Sequence, residues 1–149
     1  MNKPSPIYSS HFGVYALILN AEKDSALLIK KSLGCYTGLY DLPGGSMEPD
    51  ELLEETLCRE VLEETDCSVT SYTQLCALSA LYPHKQDGAD RVLRHIGAIY
   101  MADVVGTPRA HATGLDDSDG CVWIPFEKVT SKNSTPFVVD AIKIYAKKT

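Results

Sequence analysis

A strongly acidic stretch, residues 44–69, constrains this chain more than any other feature. Arg59 is its only basic residue, and the other residues of the chain together carry a slightly positive charge although the whole chain stands at −6. No Gly or Pro interrupts residues 50–65. Within them, apolar residues recur at four-residue intervals: Leu53, Leu57 and Val61, with Cys58 and Leu62 beside them. This spacing predicts an amphipathic helix over residues 50–65, with Asp50 as its N-cap.

The predicted helix places three carboxylates, those of Glu60, Glu63 and Glu64, on one side. At about 100° per residue they fall within an arc of roughly 100°, beside the apolar stripe rather than opposite it. Glu60 and Glu64 form a like-charge i,i+4 pair, which destabilises an isolated helix by about 0.2–0.5 kcal/mol. A hard divalent cation would relieve this crowding, because it prefers oxygen ligands and keeps waters for a phosphate substrate. The helix alone is equally compatible with an ordinary solvated acidic face.

The residues around the helix follow a longer pattern. It runs Gly45, five residues, Glu51, seven residues, then Arg59-Glu60-Val61-Leu62-Glu63-Glu64. This pattern resembles the Nudix box of the MutT-like pyrophosphohydrolases, G-x5-E-x7-R-E-U-x-E-E-x-G-U with U aliphatic, and Leu42-Pro43-Gly44-Gly45 resembles the family's lead-in. Asp66 replaces the last Gly of the box, and Cys67 replaces its final aliphatic residue. Because Asp tolerates a left-handed conformation better than most residues, we expect Asp66 to keep the turn that ends the helix.

Mixed strands with one helix in mid-chain and one at the C-terminus indicate an α/β or α+β fold. The resemblance to the Nudix family narrows this to an α/β/α sandwich around a mixed β-sheet, formed by a single domain over residues 1–149. It also implies an enzyme, a hydrolase of phosphoric anhydride bonds. Water would attack the pyrophosphate linkage of a nucleoside diphosphate joined to another group, X. The expected products are a nucleoside monophosphate and either pyrophosphate or phosphorylated X.

Several substrates fit this resemblance. A (deoxy)nucleoside triphosphate, normal or oxidised, is the first expectation for a short single-domain chain. ADP-ribose or another nucleotide sugar is the second, and a dinucleoside polyphosphate is the third. A different kind of function is a Nudix-fold module that senses a nucleotide without cleaving it. The presence of all three carboxylates favours the enzyme, because a non-catalytic module has no need of them.

Matching the box residue by residue assigns the metal site. The resemblance implies that Glu60, Glu63 and Glu64 bind Mg²⁺, which Mn²⁺ can replace, with the backbone carbonyl of Gly44 as a further ligand. It leaves a second role open for Glu60, that of general base.

Other polar residues near the box have supporting roles in this interpretation. Arg59 is well placed to orient a carboxylate, and Glu51 suits the positive end of the helix dipole, which is a structural role. Many family members also supply an acid from a loop before a late Trp-containing strand. The candidates in that loop are Asp116, Asp117 and Asp119.

Candidates for substrate contact outside the box are weaker. They are Lys30, Lys31, Arg91 and Arg94 for phosphate, and Tyr40 for stacking on a base. Strand alternation within residues 91–100 places His95 on the face opposite Arg94. We expect His95 to be a hydrogen-bonded histidine of the core or of a sheet edge.

The remaining segments alternate between β-rich and turn-like sequence. We expect residues 11–20 and 26–30 to pair as a hairpin, residues 68–81 to form one long strand or two, residues 83–90 to be a polar turn, and residues 91–105 to be a strand. A short strand over residues 120–124 would place Trp123 in the core. Pro136 begins a C-terminal helix that is predicted to end near Lys147.

Length and composition limit the remaining function classes. The 149 residues are 44% apolar and 23% charged, as in a soluble globular domain. No run approaches 18 uncharged apolar residues and the first ten residues lack an apolar core, so we expect a cytoplasmic protein without membrane contact. A pI near 5.1 argues against a nucleic-acid polymer as partner, whereas a small nucleotide can bind through the metal. Five cysteines without a C-x2-C pair argue against disulfides or zinc, and a homodimer stays compatible with the sequence.

Overall fold

A computed structural model describes residues 2–109 and 118–149, without the side chains of residues 118 and 119. The helices and strands in these ranges are β1 (Ile7–Leu17), β2 (Ser25–Lys31), β3 (Tyr40–Asp41), β4 (Gly44–Ser46), α1 (Leu53–Thr65), β5 (Ser68–Gln86), β6 (Ala89–Val105), β7 (Ser118–Pro125) and α2 (Pro136–Lys148). One sheet has the order β4-β1-β6-β5, with β1 and β6 parallel and the other neighbours antiparallel. A second, antiparallel sheet has the order β3-β2-β7.

The two helices cover opposite faces of the strands. Val14 and Ala16 of β1 belong to the apolar cluster that contains Leu57 of α1. Tyr15, which lies between them in sequence, belongs to a second cluster with Phe137 of α2. Strands β2 and β6 alternate in the same way between the two clusters. Because successive side chains of a strand point to opposite faces, the strands form the middle layer, which confirms the predicted α/β/α sandwich around a mixed sheet.

The expected hairpin between residues 11–20 and 26–30 forms only at its turn. There the Leu27 N–H donates to the Ile18 carbonyl at 2.9 Å, and a single antiparallel bridge joins Leu19 to Ala26. Beyond the turn, β1 pairs with β4 and β6, whereas β2 pairs with β3 and β7. The predicted hairpin ladder is therefore wrong. Both segments are central strands of their sheets, so each takes two neighbours from distant parts of the chain.

A long hairpin joins β5 and β6. Its turn consists of Asp87 and Gly88 alone, with φ angles of 53° and 75°. This is the two-residue turn that an Asp-Gly pair favours. The polar turn predicted over residues 83–90 is therefore too wide, because Pro83 pairs with Val92 within the ladder. Proline is tolerated there because β5 is the edge strand of its sheet.

Helix α1 begins later than the sequence predicts. Its first residue is Leu53 and its N-cap is Leu52, so the prediction of Asp50 as N-cap is wrong. The Leu52 N–H donates instead to Glu55 Oε1 at 2.9 Å, so a side chain from within the helix satisfies this terminal donor. At the other end Asp66 has a φ of 63°, in the left-handed region, which confirms the expected turn.

The apolar stripe of α1 is narrower than predicted. Leu57 and Val61 are fully buried, but Leu62 is 49% exposed and Cys58 is only partly buried. The apolar stripe therefore follows the four-residue repeat alone, and the polar residues Thr56, Glu64 and Thr65 complete the buried face of the helix.

Helix α2 begins at Pro136, as predicted, with Thr135 as its N-cap, and it buries Phe137 in the core. Trp123 is 39% exposed, so its predicted place in the core is wrong. It lies on β7, an edge strand of the three-stranded sheet, where neighbouring structure covers less of the side chains. Among the described residues, no helix has the length and apolar character needed to cross a membrane.

Candidate active site

The glycine turn before α1 brings the chain against β1. Strand β4 pairs with β1 so that Gly44 lies opposite Tyr15. A Cβ on Gly44 would collide with the Val14 carbonyl oxygen and lie 2.7 Å from the Tyr15 Cα, and its φ of 147° also disfavours other residues. The Gly44 N–H donates to Glu64 Oε1 at 2.8 Å. The turn thus fixes the position of a carboxylate that is only 2% exposed.

Arg59 connects the other carboxylates of the helix. Its guanidinium donates from Nε and Nη2 to both oxygens of Glu51, at 2.6 and 2.8 Å. Nη1 donates to Glu60 at 3.0 Å and to Glu63 at 3.2 Å, and Nη2 also reaches the Ser46 carbonyl at 3.0 Å. These hydrogen bonds from Arg59, followed by one from a backbone N–H, lower the pKa of Glu51 to about 2. The contacts agree with the predicted orienting role of Arg59 and structural role of Glu51.

A polar cavity of about 290 Å³, called here the carboxylate cavity, opens beside the glycine turn. Its walls are formed by Glu60, Glu63, Glu64, Glu48, Gly44, Gly45, Ser46, His11, Tyr15 and Lys31. A Cβ on Gly45 would lie 2.8 Å from Glu60 Oε1, so the glycine leaves room for that carboxylate. The structure therefore brings all four predicted metal ligands to one cavity.

The donor set of this cavity fits a hard divalent cation. Its three box glutamates supply carboxylate oxygens, which Mg²⁺ and Mn²⁺ prefer. The residues described do not include a converged group of three His, Cys, Asp or Glu ligands. Arg59 donates to one oxygen of Glu60 and one of Glu63, while the Gly44 N–H donates to one oxygen of Glu64. The carboxylates thus surround one space without meeting at one point.

A second cavity, of about 520 Å³ and called here the aromatic cavity, adjoins the first. The two share His11, Tyr15 and Lys31. The rest of its wall comes from the loop between β2 and β3 and from the sheet: Leu33, Gly34, Cys35, Tyr36, Asp41, Leu93 and His95. A polar, acidic space and a more apolar, aromatic space therefore meet at three residues.

Tyr15 and His95 form a fixed pair at this boundary. The Tyr15 hydroxyl lies 2.6 Å from His95 Nε2, and His95 stacks on Phe137 with ring centroids 4.3 Å apart. Burial, then the charges of His11 and Lys31, lower the pKa of His95 to about 4. Burial and nearby carboxylates raise the pKa of Tyr15, so a protonated hydroxyl pairs with a neutral imidazole. His95 is thus a hydrogen-bonded core histidine, as expected.

Three glycines make room for the Tyr15 ring. Gly13 and Gly97 are paired across β1 and β6, and Gly44 lies on the other neighbour of β1. A Cβ on Gly13 would collide with the Tyr15 hydroxyl, and one on Gly97 would lie 3.1 Å from its ring. A glycine inside a strand often marks such a close approach. This was the one sequence signal that could have pointed to Tyr15 as a residue of the site.

The predicted substrate-contact residues separate into two groups. Lys31 lines both cavities. Lys30 and Tyr40 line neither cavity. The Lys30 ammonium lies 5.8 Å from the centroid of the Tyr40 ring, so these two predicted contacts lie next to each other but outside the site. Adjacent residues of a strand point to opposite faces, so only one of the two lysines can face the site.

The two arginine candidates also lie away from the site. Arg94 is exposed and donates to Ser10 Oγ at 3.1 Å. Arg91 lines a separate cavity together with Lys3 and His84. The fold therefore brings neither of these two predicted phosphate-binding arginines to the carboxylates. The loop candidates Asp116 and Asp117, and the side chain of Asp119, lie outside the described residues.

The fold and the site define a class: an α/β/α sandwich whose glutamate-rich helix faces a glycine turn across a small polar cavity. The chain belongs to the NUDIX family, because the model of the NUDIX domain matches residues 9–147. Members of this family are hydrolases that act on pyrophosphate bonds and generally use a divalent metal.

Known proteins support this assignment. The CTP pyrophosphohydrolase of Escherichia coli (strain K12) is 28% identical over 126 residues, covering 83% of this chain and 84% of the relative. A candidate 8-oxo-dGTP diphosphatase of Bacillus subtilis (strain 168) is 43% identical over 53 residues, 36% of this chain, and the match spans only 33% of that relative. The crystal structure of a MutT NUDIX hydrolase from Burkholderia pseudomallei has the same fold, with a TM-score of 0.69 at 24% identity over 91% of this chain and 97% of that one.

Proposed function

We propose that this protein is a Mg²⁺-dependent pyrophosphohydrolase that converts a nucleoside triphosphate to a nucleoside monophosphate and pyrophosphate. The observation that carries the proposal is the pair of joined cavities. One is lined by the three glutamates of the box and suits a metal-bound phosphate chain, and the other is lined by aromatic and apolar side chains and suits a base. The two curated relatives described above are named for CTP and 8-oxo-dGTP, which are both nucleoside triphosphates.

Each residue around the carboxylate cavity has a definite task in this function. Glu60, Glu63, Glu64 and the Gly44 carbonyl would hold the cation. When bound, a divalent cation would neutralise phosphate charge and lower the pKa of a coordinated water. Arg59 orients Glu60 and Glu63, and it stays protonated because its hydrogen bond to Glu51, in particular, raises its pKa. Glu60 is the candidate general base among the residues that the structure describes.

Lys31 supplies positive charge where the two cavities meet. An ammonium there lies between the space for the base and the space for the metal, where the phosphate chain of a bound nucleotide would pass. A lysine is suited to a phosphate as a mobile point charge. The same position would serve the diphosphate of ADP-ribose or of another nucleotide sugar, so Lys31 supports the reaction class more than the choice of substrate.

Hydrolysis of a substrate panel tests the proposed function. The panel comprises the common and oxidised nucleoside triphosphates, ADP-ribose, nucleotide sugars and dinucleoside polyphosphates, each with Mg²⁺, with Mn²⁺ and with a chelator. We expect metal-dependent release of a nucleoside monophosphate and pyrophosphate from a triphosphate. Faster cleavage of ADP-ribose or a nucleotide sugar would contradict the substrate. Binding of nucleotides without any cleavage would indicate that the protein is a nucleotide-sensing module rather than an enzyme.

Replacing Glu64 with Gln tests the site itself. The buried amide can still accept the Gly44 N–H, so the fold should persist, with thermal unfolding close to that of the parent protein. The loss of a charged ligand removes several kcal/mol of transition-state stabilisation, so we expect kcat/KM to fall by about a thousandfold. The matched control is Glu55→Gln, which removes the same charge from an exposed position of the same helix and keeps the terminal hydrogen bond. Near-normal activity of the Glu64 variant would refute the assignment.

A further inference from the structure

His11 is the most exposed of the three residues shared by the carboxylate and aromatic cavities. It lies on β1 directly opposite His95 of β6, with the two rings 5.5 Å apart. Its Nε2 lies 3.3 Å from the Ser46 hydroxyl, at the end of the glycine turn. No pattern in the sequence selects His11, because only the pairing of β1 with both β4 and β6 brings it to this boundary.

The geometry of a nucleotide makes the boundary special. The proposed function places the phosphates in the carboxylate cavity and the base in the aromatic cavity, and the sugar connects the two in every nucleotide. The sugar must therefore lie where the cavities meet, next to residues that both of them share. Those residues are Tyr15, Lys31 and His11.

The three shared residues differ in what they can offer a sugar. Tyr15 is 4% exposed and its hydroxyl is already hydrogen-bonded to His95 Nε2 at 2.6 Å. Lys31 carries a charge and is better matched to phosphate than to a neutral hydroxyl. His11 is the residue of the three that a ligand can reach most easily. Partial burial of its ring, and then the charge of Lys31, lower its pKa below 6.5, so the imidazole is neutral at neutral pH. A neutral imidazole has one donor and one acceptor nitrogen, and with Nε2 at Ser46 the Nδ1 atom is left for a ligand.

We infer that His11 recognises the sugar of the substrate by a hydrogen bond to a pentose hydroxyl, and so contributes to substrate specificity. The inference rests on the proposed function, because it takes the ligand to be a nucleotide bound across both cavities. Its consequence is a preference among sugars that is separate from the preference among bases. A hydroxyl that pairs with the imidazole should contribute about a factor of ten in kcat/KM, the usual range of one neutral hydrogen bond.

The test removes the sugar hydroxyls and the imidazole in turn. For the base preferred in the substrate panel, kcat/KM is measured for the ribo-, 2′-deoxyribo- and 2′,3′-dideoxyribonucleoside triphosphates. The same series is then measured with His11→Phe, which keeps an aromatic ring beside His95 but has no polar atom, and with His11→Asn, which keeps an amide near the position of Nδ1. His84→Phe is the matched control, because His84 lies on β5 and lines neither cavity.

For the parent protein and the His84 variant, we expect kcat/KM to fall about tenfold from the ribonucleotide to the dideoxyribonucleotide. Most of this fall should come from the removal of one of the two hydroxyls. For the His11→Phe variant, kcat/KM should fall by less than about threefold along the same series. The His11→Asn variant should keep most of the discrimination between the sugars. Thermal unfolding should be similar for all four proteins, because the exposed ring of His11 contributes little to the core.

A flat series in the parent protein, or an equally steep series in His11→Phe, would overturn the inference and leave the proposed function intact. An absence of hydrolysis with every triphosphate would refute the proposed function first, and this inference with it. A Phe variant that is unstable but still discriminates would show that His11 is structural. The two failures are therefore distinguishable in one set of measurements.

Discussion

The two joined cavities are built in different ways. Apart from the three shared residues, the carboxylate cavity comes from one continuous segment, between Gly44 and Glu64. The aromatic cavity takes its walls from the loop after β2, from β3 and from β6, which lie up to about sixty residues apart in sequence. The difference shows that the half of the site proposed to bind metal is encoded locally, whereas the half that would select the substrate depends on how distant strands are paired.

Glycine serves both halves, but for different physical reasons. On the carboxylate side Gly44 lets two backbone segments approach, and Gly45 leaves space for a flexible carboxylate. On the aromatic side Gly97 leaves space for the rings of Tyr15 and Phe137. Backbone atoms of a paired strand cannot move away from an added Cβ, a packed aromatic ring can do so only with difficulty, and a flexible carboxylate side chain can do so easily. Substitutions at these three glycines should therefore differ in their effects on stability and activity.

Gly44→Ala should have the largest effect. The added Cβ collides with the Val14 carbonyl oxygen, which belongs to a central strand, so we expect a loss of roughly 3 kcal/mol in the free energy of unfolding. Urea unfolding measures this loss. The matched variant is Gly45→Ala, whose Cβ meets only the Glu60 carboxylate. It should cost less than about 1 kcal/mol in stability and still lower kcat, because Glu60 is displaced. Equal destabilisation by both would break the distinction between backbone and side-chain contacts.

Gly97→Ala should have an intermediate effect, on the aromatic side. Its Cβ would lie 2.5 Å from a carbon of the Phe137 ring, and overpacking of this kind usually costs about 1–3 kcal/mol. A smaller residue at position 137 should relieve the clash, so Phe137→Leu should be less destabilising in the Gly97→Ala protein than alone. Urea unfolding of the four proteins in this cycle gives the coupling energy. Strict additivity would show that the clash is relieved elsewhere.

Arg59→Met should lower the stability at neutral pH, where the ion pair with Glu51 is fully formed, and should weaken the dependence of stability on acid pH. Hydrogen bonding to Arg59 holds the pKa of Glu51 at about 2, below its ordinary value of 4.5. A lowered pKa means that this stabilisation is complete above about pH 4.5 and is lost as the pH falls towards 2. Without Arg59 the contribution of Glu51 disappears, so stability should depend less steeply on pH in this window. Urea midpoints between pH 2 and 6 measure the slopes.

The control for this pH dependence is Arg94→Met, because Arg94 hydrogen-bonds to a serine hydroxyl rather than to a carboxylate. It should leave the slope of the parent protein unchanged. Identical slopes for all three proteins would mean that the Arg59 contacts do not stabilise the folded state. A weakened slope in the Arg59 variant alone would confine the acid sensitivity to the carboxylate side of the site.

Much of the carboxylate side could be predicted from the sequence. The helical repeat of Leu53, Leu57 and Val61 is local, and a helix of known period fixes which side chains share a side. The left-handed turn at Asp66 and the start of α2 at Pro136 are local effects as well. The first turn of α1 was mispredicted because the side chain of Glu55, rather than that of Asp50, satisfies the end of the helix.

The sequence by itself therefore determined the family, the two helices and the glutamates that line the carboxylate cavity. Only the tertiary structure decided that β1 pairs with β6 rather than with β2, and that Lys31 instead of Lys30 faces the site. It also decided that His11 and His95 lie opposite each other, 84 positions apart in sequence. The physical reason is the range of the interactions. Helices form from contacts within four residues, whereas strands select their partners and their inward faces through packing between distant segments.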